Sequence, residues 1–442
     1  MPTDKPNLVR AIGRWSLIAL MVNFTIGAGI FGLPSAAAGL LGSQSPIAYL
    51  IAAAGIGVFA ACVAEVASRF HQAGGPYLYA KVAFGRFLGL QTGWLLWLTR
   101  VSSSAAVANV FVDYMPGFWP QAKEPINRFV ILTILIWGLA LANIRGVVVG
   151  ARVSNFFTIA KLLPLLIFVA GGLIFIHANA NPVPPITESH PVGAWLSAVL
   201  LIIYAFTGFE SALIPGGELR NPSRDIPRAI LISLPLVAMV YFLVQMVVVR
   251  MLPSSAQTDH PLSAAAYVFG GSTMASIIAV GALLSSFGSL AANMIANPRL
   301  TLALAEQGDF PCWFGAIHRR FRTPYVSIVV FAGLLWVLTL LGTFRWNATL
   351  SALSRLFAYG ITCAALPALR KKAPGHEGFH LPAGSVFAVL GIFFAIVLVS
   401  RMGSAELTVL AITASVSIMN WIVVRRNAGN PESSGNPGYP RD

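Results

Sequence analysis

At 442 residues, with 57% hydrophobic and only 10% charged positions, the chain carries more apolar surface than a soluble core can hide, which excludes a water-soluble enzyme or binding module. A formal net charge of +14 would suggest nucleic acid in a soluble protein, but here the basic residues gather between apolar runs, a sign of membrane topology. Cys62, Cys312 and Cys363 lie far apart and outside any CxxC spacing, so they indicate neither a disulfide framework nor a zinc site.

A spanning helix needs roughly 20 apolar residues. Twelve such runs can be placed, centred near residues 27, 57, 100, 137, 165, 205, 240, 285, 333, 358, 390 and 414. With a cytoplasmic N-terminus (1–14), the inner segments hold clusters such as Arg69, Lys81 and Arg86, or Arg319, Arg320 and Arg322, or Arg370, Lys371 and Lys372. The outer segments hold only Lys123, Arg128, Arg250, Arg345 and Arg401. This bias predicts both termini in the cytoplasm of a cell with this protein in its inner membrane, in agreement with an even number of spans. Ala36-Ala37-Ala38 resembles a signal-peptide cleavage site, but the run before it is interrupted by polar residues and glycine and continues too far, so cleavage is not expected.

The first span contains Asn23-Phe24-Thr25-Ile26-Gly27-Ala28-Gly29-Ile30-Phe31. Two glycines and the following Pro34 predict a broken helix, and an unwound segment in a bilayer persists only where its peptide groups line a cavity or hold a ligand. The freed amides of Ala28, Gly29 and Ile30 would then open a half-helix whose positive end suits a carboxylate. Glycine for close helix packing is the plain alternative.

Span 2 opens at Pro46 and carries Glu65 near its inner end, where a structural or solvated role is expected, as for Asp113. Gly74-Gly75-Pro76 breaks the chain before a short helix at the inner interface around Tyr77 and Lys81. Span 3 is centred on Arg100, span 5 contains Lys161, and 177–191 reads as an outer loop. Span 6 repeats the pattern of span 1: Tyr204-Ala205-Phe206-Thr207-Gly208-Phe209-Glu210-Ser211 puts a glycine and an ionisable residue at mid-membrane, and Pro215-Gly216-Gly217 ends the run. Two interrupted spans five apart predict an inverted repeat, 15–178 against 191–370, with a binding site at the breaks. Residues 218–228 read as a basic turn, span 8 as a small and polar stretch around Ser285 to Asn293, and 299–324 as an amphipathic inner helix with a basic loop. Arg355 lies inside span 10, two further spans occupy 380–426, and the tail from Asn427 reads as disordered.

Ile26-Gly27-Ala28-Gly29-Ile30-Phe31, Ala73-Gly74-Gly75-Pro76-Tyr77 and Phe206-Thr207-Gly208-Phe209-Glu210-Ser211, with Asn221-Pro222 and Ile226-Pro227 after them, resemble the amino acid-polyamine-organocation superfamily of permeases from about Trp15 to Arg426. The resemblance implies an all-α, twelve-span, LeuT-like fold with five-plus-five inverted repeats, helices 1 and 6 broken, two added C-terminal helices, and alternating access around a site between spans 1, 3, 6, 8 and 10. Carried over by position, Thr25, Ala28, Gly29 and Ile30 would meet the substrate carboxylate. Tyr204 would be the gating aromatic, and carbonyls near Phe206 and Thr207 would take the ammonium. The motifs look most like those of arginine/agmatine antiporters, but Asn293 stands where those have a span 8 tryptophan, and Arg100 adds a cation that disfavours arginine.

Lys161 falls where proton-coupled members carry a span 5 lysine in place of a second sodium ion, so the resemblance implies protons as the coupling ion, with no other cofactor. Burial disfavours the charged form of a lysine, which fits that task; a permanently charged structural prop is the alternative. Glu210 stands where the arginine/agmatine antiporters carry a span 6 glutamate that helps couple to protons, so the resemblance implies proton coupling for it as well as for Lys161. As a buried carboxylate it must pair or take a proton, with Arg100 and Arg355 as available partners. Either arginine could instead face the cavity and receive an acidic substrate side chain. The expected function is secondary transport of an amino acid or related amine, as proton symporter or alternatively exchanger. A channel suits two broken helices less well, and an enzyme lacks the motifs for one. Expected partners are the small-molecule substrate and membrane lipid, with neither nucleic acid nor an obligatory protein partner.

Overall fold

The computed structural model describes residues 13–70, 74–146, 151–179, 189–213, 221–252, 258–372 and 379–428. Among them the chain is helical throughout, without a strand. The α-helices are α1 (Arg14–Thr25), α2 (Gly29–Leu41), α3 (Ser45–Ser68), α4 (Gly75–Phe84), α5 (Arg86–Tyr114), α6 (Pro125–Ile144), α7 (Ala151–Ala178), α8 (Val192–Ile203), α9 (Pro222–Met251), α10 (Pro261–Glu306), α11 (Tyr325–Leu341), α12 (Phe344–Lys372), α13 (Gly384–Val399) and α14 (Ser404–Ala428). Proline stands in the first turn of α3, α4, α6, α9 and α10, where its fixed φ suits the helix and its missing N–H costs nothing.

Nine helical stretches among the described residues are long and apolar enough to cross a membrane, and α11 and α13 are shorter apolar helices. Their outer faces expose large side chains such as Ile134, Ile174, Leu231, Leu341 and Phe393. Water would not tolerate so much apolar surface; lipid does. The protein is integral to the membrane. Several buried hydroxyls return their protons to carbonyls one turn back, as Thr92 does to Leu88, Thr99 to Leu95 and Ser102 to Leu98, which satisfies a hydroxyl inside an apolar span.

Helix α10 is the longest at 46 residues, about 69 Å at 1.5 Å per residue and far more than a bilayer core. Gly271, at φ +63, breaks it into 261–270 and 272–306, and only glycine adopts that angle readily. The expected separate amphipathic helix from Arg299 is instead the end of α10, which continues through Pro298 and stops at Glu306. The expected basic turn at 218–228 is likewise helical from Pro222, because Asn221 offers its carbonyl to the amides of Arg224 and Asp225 and Pro222 starts the first turn. Residues 214–220, including Pro215-Gly216-Gly217, lie outside the described residues, as do His71 to Ala73, most of the 177–191 loop, the first twelve residues and the tail beyond Ala428. Helix α7 takes in His177 and Ala178, and α14 the first two residues of the expected tail.

Charged ties join distant segments at one end of the bundle. Glu65, fully buried, accepts from Arg69 at 2.9 Å, from Arg370 at 2.9 and 2.6 Å and from the Leu381 amide at 2.9 Å. Asp309 accepts from Arg86 at 2.7 Å, from Lys81 at 3.4 Å and from the Tyr77 hydroxyl. At the opposite end Lys123 pairs with Asp259, and Arg128 reaches Asn109 and the carbonyl of Thr339. The first end is the more basic, and the α4 helix expected at an interface packs there against α5 and α12.

Candidate functional site

Helix α1 stops at Thr25, and Ile26 turns to an extended conformation (φ −75, ψ 92). The next backbone bond runs from the Phe31 amide to Ala28 at 3.1 Å. Between them the amides of Gly27, Ala28 and Gly29 find no carbonyl among the described residues, and all three residues line a cavity. They form the positive mouth of α2. On the other side of the gap the orphaned carbonyls of α1 are taken by side chains: Asn23 by the Lys161 ammonium and Thr25 by the Tyr241 hydroxyl at 2.9 Å. The Thr25 hydroxyl gives its proton to Met21 at 2.7 Å and can therefore only accept from the cavity.

The second break mirrors the first in kind. Helix α8 tightens to a 3-10 turn at Tyr204–Phe206, Thr207 is extended (φ −81, ψ 153), and Gly208 takes φ +117 before a second 3-10 segment at Phe209–Leu213. The Tyr241 hydroxyl also lies 3.0 Å from the carbonyl of Ala205. One fully buried phenol on α9 thus bridges the two breaks, giving its single proton to one carbonyl at a time.

The cavity measures about 380 Å³ and is walled by both breaks together with Arg100 and Ser103 of α5, Lys161 of α7, Asn293 and Asn297 of α10, and Arg355 of α12. That is near the lower end of the roughly 300–1,000 Å³ usual for small-molecule sites, a size for an amino acid rather than a larger solute. Tyr204 closes one side: its ring lies over Gly29, where a Cβ would approach Cε1 to 2.9 Å, its hydroxyl donates to Ser103 at 3.2 Å, and Phe344 meets it edge-on at 6.1 Å. The α10 lining runs from Ser285 to Asn297, toward the end of that helix nearest Asp309, so the cavity extends from the breaks toward the basic end.

Of the residues singled out from sequence, Thr25, Ala28, Gly29, Arg100, Lys161, Tyr204, Thr207 and Asn293 meet around this one cavity. Ile30 and Phe206 do not line it. Ile30, in the first turn of α2, is wholly buried in the bundle, and the Phe206 ring packs edge-on against Tyr241 at 5.1 Å. Glu210 sits behind the second break, where it accepts from Arg355, from Tyr359 at 3.0 Å and from the Gly208 amide at 3.0 Å. Its partner is thus Arg355. Arg100 holds instead to the Asn297 side-chain oxygen at 3.0 Å. Sequence reasoning missed Tyr241 and Asn297. Asn297 stands one turn beyond Asn293, a spacing that could have flagged it.

Over residues 12–424 the chain matches the family described as amino acid permease. The chain belongs to that family. The permease is 28% identical over 443 residues to uncharacterized transporters of Mycobacterium bovis and Mycobacterium tuberculosis, covering 99% of this chain and 98% of each relative. It is 27% identical over 425 residues to a branched-chain amino acid permease of Bacillus subtilis, with 91% and 90% covered.

In the permease the phenol of Tyr241 is the part shared by both breaks. Tyr241→Phe removes one hydroxyl and leaves the carbonyls of Thr25 and Ala205 without that donor, at about 1–3 kcal/mol for an unsatisfied buried group. The expected result is a lower thermal midpoint and a substrate KM raised about tenfold, read by unfolding in detergent and by uptake into proteoliposomes. A variant matching the parent in both would show that the bridge is idle.

Proposed function

We propose that this permease is a secondary transporter that carries an amino acid across a bacterial inner membrane by alternating access, driven by proton symport. One observation carries the reading: the amides of Gly27 to Gly29, which find no carbonyl among the described residues, and the extended Thr207 at the end of the α8 turn line the same small cavity. The first suit an α-carboxylate and the second an α-ammonium, the two charges every amino acid presents.

The twelve-span, five-plus-five inverted arrangement is supported by the pattern of neighbours. Exchanging spans 1–5 with 6–10 turns the α1–α9 contact into α8–α3, α5–α12 into α10–α7, α5–α11 into α10–α6, and α3–α12 into α9–α7, and both members of each pair occur. The α3–α9, α5–α10 and α6–α11 contacts map onto themselves. In this reading α13 and α14 are additions on the flank. The basic end, with Arg86, Arg370 and their neighbours, faces the cytoplasm together with both termini, so the cavity opens inward and Tyr204 with Phe344 forms the outer closure.

Lys161 is the proton carrier in this proposal. Its one hydrogen-bond acceptor is the Asn23 carbonyl at the negative end of α1, and no carboxylate holds it among the described residues. A lysine so placed can lose its proton when the first break moves. Glu210, held by three donors, anchors the second break instead. Proteoliposomes with an alkaline interior should accumulate substrate through the parent protein. Lys161→Ala should lose at least tenfold of that gradient-driven accumulation while keeping counterflow exchange. Unaltered gradient-driven accumulation in the variant would overturn the assignment, and counterflow without net uptake in the parent would make the protein an exchanger.

A further inference from the structure

Resting on that reading of the cavity, we infer that the transported amino acid carries a second carboxylate, as L-glutamate and L-aspartate do, and that Arg100 receives it. The charge inventory of the cavity is one-sided. Arg100, Lys161 and Arg355 line it, whereas α1, α2 and α10 contribute no charged group. The nearby acid, Glu210, is engaged by Arg355. Two cations therefore face the site without an anionic partner among the described residues. A zwitterionic cargo leaves that excess untouched, a cationic one adds to it, and an acidic amino acid cancels half of it in a medium where charge is costly.

The geometry of Arg100 adds to the count. Its Nη1 is held by Asn297, whose side chain is buried, at 3.0 Å. This contact anchors one end of the guanidinium, while the remaining N–H groups have no protein acceptor among the described residues. A planar fork with one tine anchored and the rest open is built for a carboxylate. Its position along α5 also fits. Arg100 lies three residues before Ser103, about 4.5 Å along the axis. Ser103 holds the Tyr204 hydroxyl, and the Tyr204 ring covers Gly29 at the mouth of α2. Arg100 and the amides of Gly27 to Gly29 thus line the same cavity, with Arg100 on the turn of α5 that precedes the Ser103–Tyr204 contact, so one cargo can meet both. Asn293 and Asn297 on the facing wall supply neutral hydrogen bonds that hold such a side chain without competing for its charge.

The experiment is uptake of radiolabelled L-glutamate and L-aspartate by the reconstituted full-length protein, competed with L-glutamine, L-leucine and L-arginine. Both acidic amino acids should be carried, with the neutral and basic competitors at least about 30-fold weaker, the scale of a charge-assisted contact. Arg100→Gln should lower kcat/KM for glutamate by about 30-fold or more and shift preference toward glutamine, while Arg100→Lys keeps the acidic preference at reduced affinity. The competition series on the parent protein stands even if Arg100→Gln misfolds. Preference of the parent for leucine or glutamine, or unchanged glutamate uptake by a folded Arg100→Gln, would overturn the inference and leave the permease reading intact. Failure to move any amino acid would overturn both.

Discussion

Gly208→Ala is expected to cut transport at least about 100-fold while the protein still inserts and folds. Gly208 sits at φ +117, an angle that costs an L-residue roughly 1–3 kcal/mol. The larger obstacle is steric: a Cβ there would overlap the carbonyl oxygen of Phe24, a backbone atom that cannot rotate aside. The second break must then retreat from the first, taking with it the Ala205 carbonyl and the Tyr241 bridge. A displacement of about 1 Å in such a constellation is enough for a hundredfold loss. Gly57→Ala on α3, where an added Cβ meets nothing within 4 Å, is the control expected to transport normally. The readout is initial uptake rate in proteoliposomes normalised to reconstituted protein. Parent-like rates for Gly208→Ala would mean that the close approach of the two breaks is not needed for function.

That contact also shows where sequence reading reaches and where it stops. Both breaks were legible because glycine and polar residues inside an apolar run leave a helix no local way to satisfy its backbone, whatever surrounds it. Ala28 and Gly29 followed from lying on the first break, whereas Thr25, Thr207 and Lys161 came from the resemblance to the permease superfamily. What periodicity could not supply was azimuth. Ile30 follows Gly29 directly, yet the rotation of about 100° per residue turns it into the bundle. Phe206, in the tighter 3-10 turn before the second break, instead packs its ring against Tyr241. Tyr241 looks like any aromatic of an apolar span, and only the convergence of Thr25 and Ala205 on its hydroxyl gives it a role. Pairing across the bundle was equally hidden: Arg100 and Arg355 were both candidates for Glu210, and the choice depends on how α5 and α12 sit against the second break. The kink at Gly271 was signalled by Gly270-Gly271, but a long apolar run masked it.

The pair chosen by the fold leads to the second large effect, on stability. Glu210→Ala is expected to destabilise the protein by about 3–5 kcal/mol, because it strands the Arg355 guanidinium at membrane depth with its main partner gone. Arg355→Ala should do the same from the other side, leaving the carboxylate with only Tyr359 and the Gly208 amide. The double variant Glu210→Met/Arg355→Met removes both charges and fills their volume with apolar atoms, so it should recover most of the loss, a coupling read directly from a double-mutant cycle of thermal midpoints in detergent. Glu210→Gln separates the structural role from a proton-carrying one. It keeps the shape and some hydrogen bonds but loses the charge that holds Arg355. A structural anchor therefore predicts a lowered midpoint with gradient-driven uptake retained in the surviving folded fraction. A proton carrier predicts the reverse, an unchanged midpoint with uptake that no longer responds to the gradient, and that outcome would move the coupling from Lys161 to Glu210. Because Arg355 also lines the cavity, the ion pair keeps that guanidinium turned toward the second break, which is why Arg100 and not Arg355 is left to meet the cargo.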